Sequence, residues 1–417
     1  MEWTHKNIAA FGGDPSQVFI VGQSAGANSV SQHLVRPKSW PFFTSAGMES
    51  GAFYDGIDGA TVASQRPTWA KLAEFLNCSK ITPPVSDAEC IINAPMLALD
   101  LADRTCCGGW SITVDGVDLV APGPVLAQQG KLAKVPIIAG SVREDIGSYY
   151  SSILFKPGPP PPPASKCKPL IGKGKGLQCT EADFRSFGAS MGLDSHDLEV
   201  FVEAYQGDEN GHPAPEKMGP GCNHPVARAN LTDQDGDIEG DASAWYWAIK
   251  HAGSDAWGTC PARRIASWYR EIGQKAFWYY WTHVPDGPNG CGGAHHANEQ
   301  PFVFHVLSET AAEAAEDKGH YHINASNPLE VELSTQVVDF WATMAGTGSP
   351  GPSWPVYGKA THEAMIFGDT SPLPAVAAPN VRTAKCDFWD AQFAKVLAAN
   401  PDGRAPEAPV AAASESF

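Results

Sequence analysis

The pentapeptide Gly22-Gln23-Ser24-Ala25-Gly26 constrains the fold of this chain more than any other stretch, because of what stands on either side of it. Before it runs Gln17-Val18-Phe19-Ile20-Val21, an apolar, β-branched run that reads as a buried strand; after it, the residues from Ala27 to Val35 read as a helix. Strand, sharp turn and helix in that order hold the central serine in a strained conformation with its hydroxyl above the sheet. Glycines two residues to either side leave room for backbones to pass closely. The Ala25 N–H, at the helix start, then points toward an oxygen that develops negative charge in front of Ser24. Ser24 is thus a candidate nucleophile and Ala25 a candidate oxyanion donor. A bare G-x-S-x-G string also occurs in ordinary turns, and the flanking strand and helix distinguish this one.

A serine hydroxyl needs a base, and the base needs an orienting acid. Lys134-Val135-Pro136-Ile137-Ile138-Ala139-Gly140 predicts a second buried strand, and the loop after it, Ser141 to Gly147, carries the adjacent carboxylates Glu144 and Asp145. The run from Lys275 to Val284 predicts a third strand, followed by a Gly-rich loop ending in Ala294-His295-His296-Ala297-Asn298-Glu299. Serine, acid, histidine is the chain order of the α/β-hydrolases. In a parallel sheet all three lie at carboxyl ends of strands, where open α/β sheets build their sites. The expected class is therefore α/β, with a mostly parallel central sheet flanked by helices.

Further segments make the chain resemble the type B carboxylesterase and cholinesterase family over most of its length. They are Asn7-Ile8-Ala9-Ala10-Phe11-Gly12-Gly13-Asp14-Pro15, Ser50-Gly51 after a strand, Cys260-Pro261-Ala262-Arg263, His296 with Glu299 and Phe302-Val303-Phe304, Ser353-Trp354-Pro355, and Cys386-Asp387-Phe388-Trp389. Carried over by position, the resemblance implies Ser24 as nucleophile and His296 as general base, with His295 its neighbour and a one-residue slip between the two left open. An ungapped count from Gly140 puts the acid at Asp145. The family usually has Glu followed by Gly there, which keeps Glu144 as the alternative. Gln23 stands where the family most often has Glu, so a preference for cationic substrates should weaken. Ser50 is expected either to hydrogen-bond behind the acid or to satisfy local backbone. The implied reaction is hydrolysis of small-molecule carboxylic esters through an acyl-enzyme, with no metal or organic cofactor. The competing readings are a non-catalytic cholinesterase-like adhesion or structural domain, and an inactive truncated fragment.

An acyl-transfer site of this kind needs a second backbone donor, which the family takes from a His-Gly-Gly loop well upstream of the nucleophile. Only 23 residues precede Ser24, and the pairs Gly108-Gly109 and Gly292-Gly293 both follow it. The expectation is an incomplete domain over 1–399 that lacks the N-terminal strands, with a Pro-rich surface loop near 157–163 and a disordered tail over 400–417.

With 43% hydrophobic residues, 13 Trp and 18 Phe, the chain has enough apolar surface for a large core. The aromatic run Phe277 to Trp281 is read as a buried strand in preference to the lining of a substrate gorge. No apolar run reaches the ~20 residues of a membrane span. A net charge of -17 argues against nucleic acid and anionic membranes as partners.

The ten cysteines point to an oxidising compartment. The resemblance implies the bridges Cys78–Cys90 and Cys260–Cys386. Proximity suggests Cys167 with Cys179, and Cys106, Cys107, Cys222 and Cys291 are left unassigned. Cys291, His295 and His296 match no structural zinc spacing. The stretch Asp233 to Asp237 lacks the glycine and the final acid of a calcium loop, with Ile238 and Ala244 in their places. Sequons at Asn77, Asn230 and Asn324 suit a secreted glycoprotein or one in the secretory lumen, while Met1 to Lys6 shows no signal peptide; an absent N-terminal region accounts for both.

Overall fold

The computed structural model describes residues 1–53, 60–81, 84–107, 110, 112–145, 168–169, 177–178, 180–206, 241–285, 294–308, 323–368 and 375–399. The Pro-rich segment near 157–163, the 400–417 tail, Cys167, Cys179, Cys222, Cys291, the Asn230 sequon, the 233–237 acidic stretch and both glycine pairs lie outside them. Two compact units make up the chain, one from Met1–Asp55 with Gly130–Ala394 and the other from Gly56–Gln129 with Lys395–Phe417.

Six strands of the first unit form one sheet: β1 Phe19–Gln23, β2 Ser45–Glu49, β3 Ile137–Val142, β4 Ala276–Trp281, β5 Ala364–Phe367 and β6 Val376–Ala378. They lie side by side in chain order. The first five run parallel and β6 is antiparallel to β5, so the expected mostly parallel sheet is present. β2, β3 and β4 are buried along their whole length, as strands of a parallel sheet covered on both faces must be, whereas β1 is only half-buried at one edge of the described sheet. The aromatic run is β4 itself, with every side chain buried.

Helix Ala25–Leu34 packs back on β1 and β2, and helix Cys260–Glu271 packs on β3 and β4. Helix Pro328–Thr347 starts where the Asn327 side chain accepts from the N–H groups of Leu329 and Glu330, and stops at Gly348 with φ 69°. It sends Val337, Trp341 and Met344 into a core shared with Ile138, Val142, Phe277, Tyr279, Trp281 and Trp354. Burying each such side chain contributes about 2 kcal/mol or more. The Cys260–Cys386 bridge and the ion pairs of Arg263 with Asp387 (2.7 Å) and Asp390 (2.5 Å) fasten the last helix, which starts at Thr383, to Cys260–Glu271.

In the second unit, helix Val62–Phe75 is capped by reciprocal bonds of Thr61 and Ser64 and buries Leu72 and Ala73 against Cys78, Cys90, Ile91, Ala102 and Cys107. The Cys78–Cys90 bridge is formed, and the adjacent Cys106 and Cys107, left unassigned by sequence, bond to each other. All six described cysteines are therefore paired. Among the described residues, no helix is long and apolar enough to cross a membrane.

Candidate active site

β1 ends at Gln23 and the next helix begins at Ala25, so the whole change of direction falls on Ser24. Its backbone sits at φ 57° and ψ -120°, which for a residue with a side chain costs of order 1–3 kcal/mol. Two bonds secure it: Ser24 N–H donates to the Glu49 carbonyl at 2.9 Å, and the Ser24 carbonyl accepts from Asn28 N–H at 2.9 Å. Gly22 is required, because a Cβ there would lie 2.4 Å from the Gly26 carbonyl carbon. Gly26 itself faces open space, so of the two flanking glycines only Gly22 serves close packing. Ala25 is the first helical residue, where a backbone N–H has no acceptor within the helix.

The two candidate acids of the loop after β3 have different surroundings. Glu144 is fully buried. Its Oε1 lies 2.9 Å from His251 Nε2 and also accepts from Arg143, while its Oε2 accepts the Ala294 N–H at 2.6 Å. Its own N–H donates to the Ala294 carbonyl at 3.0 Å. Burial alone would push this carboxyl up, but the charge of Arg143 and the bond and charge of His251 outweigh it and bring the pKa down to about 2. Glu144 is thus a clamp between the loop that carries Asp145 and the loop that carries His296.

Asp145 is the carboxylate that faces the imidazole, its Oδ1 lying 2.5 Å from His296 Nδ1. Among the described residues its buried Oδ2 has no hydrogen-bond partner; it lies against Gly258, where an added Cβ would come within 2.7 Å of it. Burial opposes a charge on His296, but the bond and charge of Asp145 prevail and raise its pKa above the ordinary value. His295 turns elsewhere: its Nδ1 lies 3.0 Å from the His296 carbonyl oxygen. The other edge of His296 meets Gln23, with 3.2 Å between Nε2 and the Gln23 amide nitrogen, and Gln23 Oε1 accepts from Gln300 at 3.3 Å. A proton on Nδ1, toward Asp145, leaves Nε2 as the acceptor for that amide. Trp257 stands edge-on to the imidazole at 5.2 Å. Among the described residues no hydrogen bond joins Ser24 to His296. The structure brings Asp145 and His296 together and leaves Ser24 half-buried, next in sequence to the Gln23 that meets His296.

Below this layer, row partners Glu49 on β2, Gly140 on β3 and Tyr279 on β4 run across the sheet. Gly140 is a necessity, since a Cβ would meet the Tyr279 ring at 2.2 Å. Glu49 accepts from Trp341 Nε1 at 2.7 Å. Among the described residues the Ser50 hydroxyl, on a backbone at φ 53°, bonds neither the acid loop nor local backbone; it donates to Glu299 Oε1 at 3.2 Å, which also lies 3.5 Å from the Tyr279 hydroxyl. Burial, and then the charge of Glu299, raise Glu49 to about 8. Burial, and then the charge of Asp145, raise Glu299 to about 7.

The model of the family described as the carboxylesterase family matches residues 1–389. The chain belongs to the carboxylesterase family. As such it is 28% identical to the cholinesterase of Mus musculus over 421 residues, 95% of this chain and 59% of that protein. It is 27% identical to acetylcholinesterase 1 of Caenorhabditis briggsae and 26% identical to acetylcholinesterase 1 of Caenorhabditis elegans, each over 96% of this chain and 62% of the relative. It therefore spans about three fifths of the length of these curated relatives. The family pattern around Ser24 and His296 was visible in the residues, whereas Glu49, His251 and Gln300 carried no motif. The one signal for Glu49 was an acid inside the otherwise apolar run before Ser50-Gly51.

Proposed function

We propose that this chain is the catalytic part of a secreted serine esterase acting on small-molecule carboxylic esters. The observation that carries the reading is the 2.5 Å contact of Asp145 with His296, whose other edge meets Gln23, the residue before a serine in a strained strand-to-helix turn. In this reading His296 takes the Ser24 proton as the oxygen attacks the ester carbonyl, and the Ala25 N–H steadies the oxyanion. The proton then passes from His296 to the departing alcohol, leaving an acyl group on Ser24. Water, deprotonated by the same imidazole, attacks that acyl group, and the acid is released with Ser24 restored. For this to happen the Gln23 amide must leave the imidazole edge. Paired cysteines and the exposed, left-handed Asn77 of a sequon support passage through an oxidising, glycosylating compartment.

The test is labelling with a fluorophosphonate probe and mapping of the adduct by mass spectrometry. An adduct on Ser24, lost on heating and in Ser24→Ala, supports the esterase. A folded, unlabelled chain overturns it in favour of the non-catalytic adhesion or structural domain, and an aggregating chain points to the inactive fragment.

A further inference from the structure

We infer that Glu49 and Glu299 form a buried acid pair beneath the nucleophile turn, in which Glu299 acts as a positioning residue that sets the proton affinity of His296. This rests on the reading of His296 as the general base. The two glutamates reach the same place from opposite ends of the sequence. Glu49 ends β2, gives its carbonyl to Ser24 N–H and turns its carboxyl to Trp341. Glu299 stands at the start of helix Gln300–Val303, three residues after His296, and turns its carboxyl to Ser50 and Tyr279. Tyr279 links them, its hydroxyl on Glu299 and its ring edge-on to Trp341 at 5.7 Å.

The pair is rich in acceptors and poor in donors. Among the described residues the Trp341 N–H serves Glu49 Oε1, the Ser50 and Tyr279 hydroxyls both serve Glu299 Oε1, and Glu299 Oε2 is buried with no hydrogen-bond partner. The charges that act on Glu299 include Asp145 and His296, and the charge of Glu299 acts on Glu49. Tyr279, pushed well above its ordinary pKa by burial and then by Glu299, stays neutral. Two carboxylates so placed cannot both ionise cheaply, and the favourable partner for a single charge is the imidazolium. Glu49 keeps its proton longer, and Glu299 ionises near neutrality, where its charge favours protonated His296. Ser50 helps, because its hydroxyl stabilises the ionised form of Glu299.

The experiment is an NMR titration of the His296 ring in the full chain, with near-UV circular dichroism as a check on folding. In the parent chain the curve should spread beyond a single-site width, because Glu299 titrates in the same range. Glu299→Gln should restore a single-site curve with its midpoint lower by roughly one unit, a tenfold weaker hold on the proton. Ser50→Ala should shift the midpoint the same way by a smaller amount, and it serves as the decisive variant if Glu299→Gln fails to fold. Glu49→Gln should leave the midpoint unchanged and remove only the distortion above pH 8. Unmoved midpoints in folded Ser50→Ala and Glu299→Gln overturn the inference, even if Ser24 takes the fluorophosphonate. Moved midpoints support the pair whether or not Ser24 is labelled.

Discussion

Glu144 and the pair Glu49 with Glu299 are all fully buried, yet one carboxyl is held at about 2 and the other two at about 8 and 7. Depth inside the protein is nearly the same in both places, with no more than 2% of any of the three exposed. The difference lies in the partners. Glu144 has a guanidinium, an imidazole and a backbone N–H aimed at its oxygens, while the pair has each other, Asp145, the charge of His296 and a few neutral donors. The first arrangement makes a fixed negative charge suited to locking two loops together. The second makes a charge that comes and goes within reach of the imidazole.

The largest effect should come from the carboxylate that lies between these two environments. Asp145→Asn is expected to slow probe labelling of Ser24 by ~10³–10⁴-fold while leaving the thermal melt nearly unchanged, because the amide no longer fixes the proton on Nδ1 or stabilises the imidazolium. A melt that falls as far as in Glu144 variants would erase the distinction between acid and clamp. Glu144→Gln should destabilise the chain by about 3–5 kcal/mol in urea denaturation, since Arg143 and His251 would be left facing a neutral group.

The pH dependence of stability should differ in sign between the two regions. Glu144 is depressed, so its contribution is present above its unfolded value of 4.5 and is lost as pH falls toward 2. Glu49 and Glu299 are elevated, so the folded chain binds more protons than the unfolded chain between 4.5 and about 8, and stability drains away as pH rises through that window. His296, also raised, loses its contribution in the same direction as pH climbs through its folded pKa. Together these place the stability maximum on the weakly acidic side. Glu49→Gln should flatten the alkaline slope by on the order of a few kcal/mol at pH 8 and change little at pH 5. An alkaline slope that survives this change would show that Glu49 is not its source.

The smallest effect concerns Gln23. Gln23→Ala removes the amide from the Nε2 edge of His296 and should raise the labelling rate ~5-fold, corresponding to one hydrogen bond of about 1 kcal/mol no longer broken on the way to attack.

How much of this was legible follows from the range over which each interaction acts. The turn at Ser24 could be read because strand, glycine and helix signals lie within twenty residues, although the helix begins at Ala25, two residues earlier than its apolar pattern. β3 and β4 were equally plain as apolar runs. The choice between Glu144 and Asp145 was not legible, since adjacent loop residues point in different directions and the groups that tie up Glu144 include His251, 107 positions away, and the Ala294 N–H, 150 positions away. Glu49 looked like an ordinary strand residue because its hydrogen-bond donor, Trp341, is 292 positions distant. Adjacent cysteines gave no hint of bonding to each other, as local spacing says nothing about a partner one residue away.

The bridge between Cys260 and Cys386 has a topological consequence. It closes a covalent ring across 126 positions, and His296 travels on that ring while Ser24 and Asp145 lie on the open thread that leads into it. Whenever the oxidised chain melts, assembling the three side chains means threading a line against a lasso whose circumference is already fixed. A reductant opens the noose and gives the unfolded loop more shapes to explore, while the path from Ser24 to His296 stays at 272 positions.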